Sequence, residues 1–155
     1  MLLAKAGKRV IVMDMDLRRP RVQNLFGLDA EVGFTSVLTG QATLREALIP
    51  IPEAGTLWVL PSGPKPPNPS ELLGSSQVAK VIERLRPQVD ILLLDSAPVL
   101  PVTDSRLVAS MADGVILVVD SEASRRAVKT ASEILNQGGR SRLIGTVVNL
   151  SLIHI

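Results

Sequence analysis

The chain has no cysteine and no tyrosine, and aromatic residues make up only 2% of its 155 positions. Without cysteine there is neither a disulfide framework nor a thiolate metal site. That absence fits a reducing compartment, and the cytoplasm is the expectation. With so few aromatics the core has to be assembled from Val, Ile, Leu and Ala, which favours layered α/β packing. Long apolar runs are missing too: none approaches the roughly 18 residues of a membrane helix, so no transmembrane segment is expected. The opening "MLLAKAGK" becomes charged too early to be a signal peptide. Nor is there a large excess of one charge, since 17 basic and 15 acidic side chains leave a formal +2. So small a bias does not imply nucleic acid as a partner. What is present is a 46% hydrophobic fraction, enough for one sizeable core in a chain of single-domain length.

Short apolar runs alternate with helical patterns. "RVIVMD" (9–14), "TLWVLPSG" (56–63), "DILLLDSAP" (90–98), "GVILVVD" (114–120) and "LIGTVVN" (143–149) are β-branched and almost continuously apolar, as strands buried on both faces are. Between them, "TLREAL" (43–48) places Thr43 and Glu46 as a capping box, and helices are expected over 75–86, 104–111 and 124–139, the last stopped by a glycine pair. Strand and helix in alternation predict an α/β fold: an open, mostly parallel sheet with helices on both faces. Ligands of such sheets sit beyond the carboxyl ends of the strands.

Aspartates occupy those ends. Asp14 and Asp16 follow the first run, Asp95 the third and Asp120 the fourth. For one aspartate after a strand, a turn or helix-cap role is the ordinary reading. Carboxylates gathered at several strand ends would repel one another and raise each other's pKa unless a cation lies among them. Mg²⁺, a hard ion held through oxygen, water and phosphate, suits such a cluster, so a metal nucleotide is the sharper reading. Arg18, Arg19 and Arg21 admit two readings, a positive collar for phosphate or a subunit contact on one side, solvated loop charge beside the turn at Pro20 on the other. Asp104 reads as a helix cap or part of the rim, and Asp120 as structural. His154, the sole histidine, has no partner near it in sequence.

"AGKRVIVMDMDLRRP" resembles the second Walker-type motif, Walker A-prime, of the bacterial tyrosine kinases that regulate capsule and exopolysaccharide export. "ILLLDSAPVLPVTD" resembles their Walker B segment, and "SGPKPPNPSELLGS" (62–75) the loop that joins the two. The resemblance covers residues 2 to 149. It implies a P-loop ATPase-like fold using ATP and Mg²⁺. In that reading Asp14 and Asp16 match the motif's aspartate pair, one helping to hold the Mg²⁺ shell and one taking the tyrosine proton, in an order left open. Asp95 matches the Walker B aspartate, Arg18 the motif's arginine, and Asn149 a position that meets the adenine edge. The implied partners are a membrane-spanning polysaccharide co-polymerase, fused or separate, and further copies of the kinase in a ring. Localisation would then be cytoplasmic, peripheral to the membrane through a partner or an upstream segment.

The departures from the family pattern are specific. No glycine-rich loop ending in Gly-Lys-Ser/Thr is found, so the expectation is an N-terminally truncated domain over 1–149, inactive as given, with its first strand and phosphate loop upstream of Met1. The last six residues, 150–155, match nothing in the family and are expected to be a non-native or disordered tail. Ser96, Ala97 and Pro98 stand where the family carries Thr-Pro-Pro. With no tyrosine, the polypeptide cannot be its own substrate. Two alternatives stay open: a septum-placing or plasmid-partitioning ATPase, and a non-catalytic scaffold of the same fold.

Overall fold

The computed structural model describes residues 1–136 and 142–149. The chain divides into two compact units, residues 1–97 and 98–155. The glycine pair expected to stop the last helix and the tail at 150–155 lie outside the described residues.

The first unit begins with α1 (Leu2–Lys5) and β1 (Val10–Asp14), followed by the short helices α2 (Val22–Leu25), α3 (Phe34–Leu38) and α4 (Leu44–Ala47). Then come β2 (Ile49–Pro50), β3 (Leu57–Leu60), α5 (Pro69–Leu73), α6 (Ser76–Leu85) and β4 (Ile91–Asp95). Its sheet has the order β2-β3-β1-β4, with β3 and β4 both parallel to β1 and only the two-residue β2 antiparallel. Alternation along β1 explains why that run carries no polar residue before Asp14. Val10 packs with Leu57, Val59, Ala4 and Val22 on one face, while Ile11 and Met13 point the other way and are buried as well. On α6, Val78, Val81, Ile82 and Leu85 are the buried residues, the i, i+3, i+4, i+7 stripe of an amphipathic helix. The capping box at α4 forms as expected: the Glu46 amide donates to Thr43 Oγ1 at 3.3 Å, and Glu46 Oε2 accepts from the Thr43 amide at 2.7 Å. At the opposite end of the sheet from Asp14, Arg9 and Asp90 form an exposed ion pair at 2.8 Å, which holds the Asp90 carboxyl down at about 2.

The second unit holds α7 (Asp104–Met111), β5 (Gly114–Asp120), α8 (Arg125–Asn136) and β6 (Arg142–Asn149), with β5 and β6 parallel. One register shift occurs between Val115 and Ile116. Ala109, Leu117, Ala131 and Leu135 form its core.

The helices α2, α3 and α5 and the two-residue strand β2 lie outside the sequence expectations; the helices are only four or five residues long, and none of the four carries an extended period. α3 nevertheless fixes the loop after β3. Its entry residues run beside that loop, the Phe34 amide donating to the Pro61 carbonyl at 2.7 Å and the Thr35 amide to Ser62 at 2.8 Å. A Cβ on Gly33 would fall 2.3 Å from the Gly63 amide nitrogen and 2.4 Å from the Pro61 oxygen, so only glycine permits the approach. Gly33→Ala is therefore expected to force the two segments apart and lower stability by about 1–3 kcal/mol, read as a fall in the urea midpoint; an unchanged midpoint would show that this seam tolerates a methyl group.

Candidate functional site

The site grows from the ends of two neighbouring strands. Asp14 and Asp95 are register partners across the β1–β4 ladder, and the Met15 amide continues the ladder by donating to the Asp95 carbonyl at 2.8 Å. Adjacent parallel strands therefore deliver two carboxylates to the same carboxyl edge of the sheet. Asp16, two residues further along and half-buried, adds a third.

Asp14 is fully buried, and its carboxylate is occupied by the backbone that follows it. Oδ1 accepts from the Asp16 amide at 3.1 Å, and Oδ2 accepts from the Arg21 amide at 3.1 Å and the Val22 amide at 3.0 Å. Two of these donors open α2, whose first amides have no partner inside the helix. Asp14 thus draws the loop 15–22 back over the strand end and caps the helix from a distance. Asp16 repeats the device locally, its Oδ1 accepting from the Arg18 and Arg19 amides at 3.1 and 3.0 Å. Met15 and Leu17, buried between these turns, anchor the loop from beneath.

The electrostatics of the cluster oppose its own charge. Burial raises the Asp14 carboxyl above the ordinary range, the three amide bonds pull it back, and the Asp16 charge pushes it up again. Asp95 is also raised, first by partial loss of solvent around the carboxyl and then by repulsion from Asp14 and Asp16.

The donor set is compatible with a cation held largely through water. Among the described residues no three acidic, histidine or cysteine groups form a ready-made metal cage. Asp14 is committed to the backbone, which leaves Asp16 and Asp95 to meet solvent-borne ligands. Mg²⁺, which keeps several of its waters, suits a site with few direct carboxylates.

Arg18 is half-buried, and its Nη2 donates to Ser70 Oγ at 2.9 Å, tying the loop after β1 to the first turn of α5. Arg19 and Arg21 are exposed and contribute their backbone amides to the aspartate turns. Ser70 lies in the "PPNPSELL" stretch but had no distinguishing signal of its own, because one serine at the start of a short helix is common. In the second unit Asn149 ends β6 opposite Asp120, and its carbonyl accepts from the Ser121 amide at 3.2 Å. Asp120 Oδ1 accepts from the Glu122 amide at 3.0 Å, a turn former as expected. Asp104 is the buried first residue of α7, where Thr103 stands at the N-cap position. Asp104 is thus the first helical residue and not the N-cap, and the Thr103 side chain at that position makes no capping hydrogen bond.

Asp14→Ala would strip three amides of their acceptor, and a loss of about 2–4 kcal/mol is expected in denaturant titration, with loop 15–22 exchanging amide protons faster. Replacing Asp95 is expected to act in the other direction. Its folded pKa lies above its unfolded value, so the charged form costs stability, and the penalty grows as pH rises from the unfolded value through the folded one. Asp95→Asn should therefore raise the thermal midpoint at pH 7.5 and leave it unchanged below about pH 3. A midpoint that falls at pH 7.5 would mean that the Asp95 carboxylate is stabilised in the fold.

No protein-family model matches the chain. Among curated relatives, the tyrosine-protein kinase YwqD of Bacillus subtilis is 34% identical over 148 residues, which span 96% of this chain and 62% of that protein. Among solved structures, the VpsO kinase domain superposes with a TM-score of 0.90 at 32% identity, covering 97% of this chain and 73% of that one. The cell division ATPase MinD of Pyrococcus furiosus shares the fold at a TM-score of 0.75 and 22% identity, covering 94% of this chain and 61% of that one. The chain thus spans under two thirds of the length of YwqD and of MinD, and more of the VpsO kinase domain. With about a third of its residues identical to each of these two kinases over nearly its whole length, the chain belongs to the bacterial tyrosine kinase family.

Proposed function

We propose that this chain carries the carboxylate side of the phosphotransfer site of an ATP-dependent protein-tyrosine kinase that regulates capsule and exopolysaccharide synthesis and export. The observation that carries the reading is the placement of Asp14 and Asp95 in register at adjacent parallel strand ends, with Asp16 beside them. A phosphoryl group in transfer needs cations around its oxygens and an acceptor for the hydroxyl proton of the attacking group. Asp16 and Asp95 would hold hydrated Mg²⁺, which when bound neutralises charge on the nucleotide phosphates. Asp14 shapes the loop that presents Asp16 and Arg18. Of the aspartate pair, Asp16 suits the role of proton acceptor better, since Asp14 is buried with its oxygens on three amides. Arg18 offers a planar guanidinium to phosphate, and Asn149 an amide able both to donate to and accept from an adenine edge.

The tyrosine that receives the phosphoryl group has to come from outside these 155 residues, which contain none. A membrane-spanning polysaccharide co-polymerase is the proposed partner, with ring assembly of kinase domains at the cytoplasmic side of the membrane. No helix among the described residues is long and apolar enough to cross a membrane. A partitioning-type ATPase is the second reading, favoured by the fold shared with MinD. A tyrosine-rich tail encoded in the gene decides for the kinase, and its absence for the other.

The reading is tested by NMR titration with Mg²⁺. Addition of Mg²⁺ is expected to move the amide resonances of residues 14–18 and 95–97, and Asp95→Asn to weaken the effect about tenfold or more. Because the 155 residues include no Gly-Lys-Ser/Thr loop, ATP turnover by this polypeptide alone should stay at background. Resonances that ignore Mg²⁺, or turnover without that loop, would refute the proposal.

A further inference from the structure

The loop after β1 supplies Arg18, but a loop arginine swings through many rotamers, and each phosphate contact would then cost the entropy of stopping it. A hydrogen bond to Ser70 opposes that motion. Arg18 Nη2 donates to Ser70 Oγ across 52 residues of sequence, at 2.9 Å in a half-buried setting. We propose that Ser70 is a positioning residue that orients the Arg18 guanidinium for an anionic phosphate group at the Asp14, Asp16 and Asp95 edge. The consequence for phosphate rests on the nucleotide reading above; the orientation of Arg18 does not.

Three features make Ser70 suited to the task. Its own place is fixed: Pro69 opens α5, the Asn68 side-chain amide donates to Glu71 Oε2 at 3.1 Å, and Leu73 is fully buried. Ser70 and Leu73 stand three apart on the helix and share a face, so burying Leu73 turns Ser70 inward as well. The segment leading to α5 is itself held by the seam between Gly33 and Gly63, where the Thr35 hydroxyl also donates to the Pro64 carbonyl at 2.8 Å. Finally, the partner is a hydroxyl. A hydroxyl is a neutral acceptor, so this bond restrains the guanidinium plane without itself neutralising the positive charge, as a carboxylate in the same place would. At the other end of the side chain, the Arg18 amide is held by Asp16 Oδ1. Arg18 is thus gripped at its backbone by the aspartate turn and at its tip by α5.

The test compares the full chain with Ser70→Ala and Ser70→Thr, using Mg·ADP as the probe. In the wild type and in Ser70→Thr, the Arg18 Nε–Hε signal should be resolved and protected from solvent exchange; in Ser70→Ala it should exchange faster while the backbone spectrum away from α5 stays the same. The apparent Mg·ADP affinity should fall about three- to tenfold in Ser70→Ala and return in Ser70→Thr. An Arg18 signal indifferent to Ser70→Ala overturns the positioning role. A changed signal with unchanged affinity overturns its consequence for phosphate. If the wild type itself shows no response to Mg·ADP, the consequence for phosphate is overturned for this chain, the Mg²⁺ titration still decides the nucleotide reading, and the Arg18 signal still decides whether Ser70 orients the side chain.

Discussion

The buried carboxylate of Asp14 is the constraint on which the site depends. A charged group without solvent is costly, and here the cost is offset by three backbone amides that would otherwise lack partners. Donors and acceptor therefore need one another, and satisfying both requires the chain from 15 to 22 to fold back over the end of β1. Asp16, Arg18 and the start of α2 take their positions from that single closure. The same residue that reads as a catalytic candidate in the motif is, in the folded chain, the organiser of the loop that carries the other candidates.

A second consequence follows from parallel pairing. Because β1 and β4 run in the same direction and in register, the aspartates that end them fall side by side. An antiparallel pair would have sent them to opposite edges. Burial, and then the like charges of Asp14 and Asp16, raise the Asp95 pKa, a local instability of the kind found where a ligand supplies what the protein withholds. The fold tolerates this at the edge of the sheet because the core beneath it, from Val10 to Met13, is buried on both faces.

Around this edge two separate stretches act as supports. α3 is pressed against the loop after β3 at a glycine-to-glycine contact, and α5 reaches Arg18 through Ser70. Both supports are short helices joined by irregular chain, with buried anchors, Phe34 and Leu73, in place of long apolar faces. Such pieces hold position through a few specific hydrogen bonds and one filled pocket each, so a single methyl group at Gly33 or the loss of one hydroxyl at Ser70 is enough to disturb them.

The sequence by itself determined the longer β-strands, the longer helices and the α/β class, because continuous apolar runs and the 3.6-residue stripe of α6 are local patterns with one physical reading. It also marked Asp14, Asp16, Asp95 and Arg18, since charge placed directly after a buried strand is conspicuous, and the motif resemblance named the family. The tertiary structure alone decided how those residues divide the work. That Asp14 spends its oxygens on Arg21 and Val22, that Gly33 must lack a side chain because Gly63 lies against it, and that Ser70 meets Arg18 across 52 residues are facts of long-range contact. No local period encodes them, because the partners become neighbours only once the parallel sheet has formed.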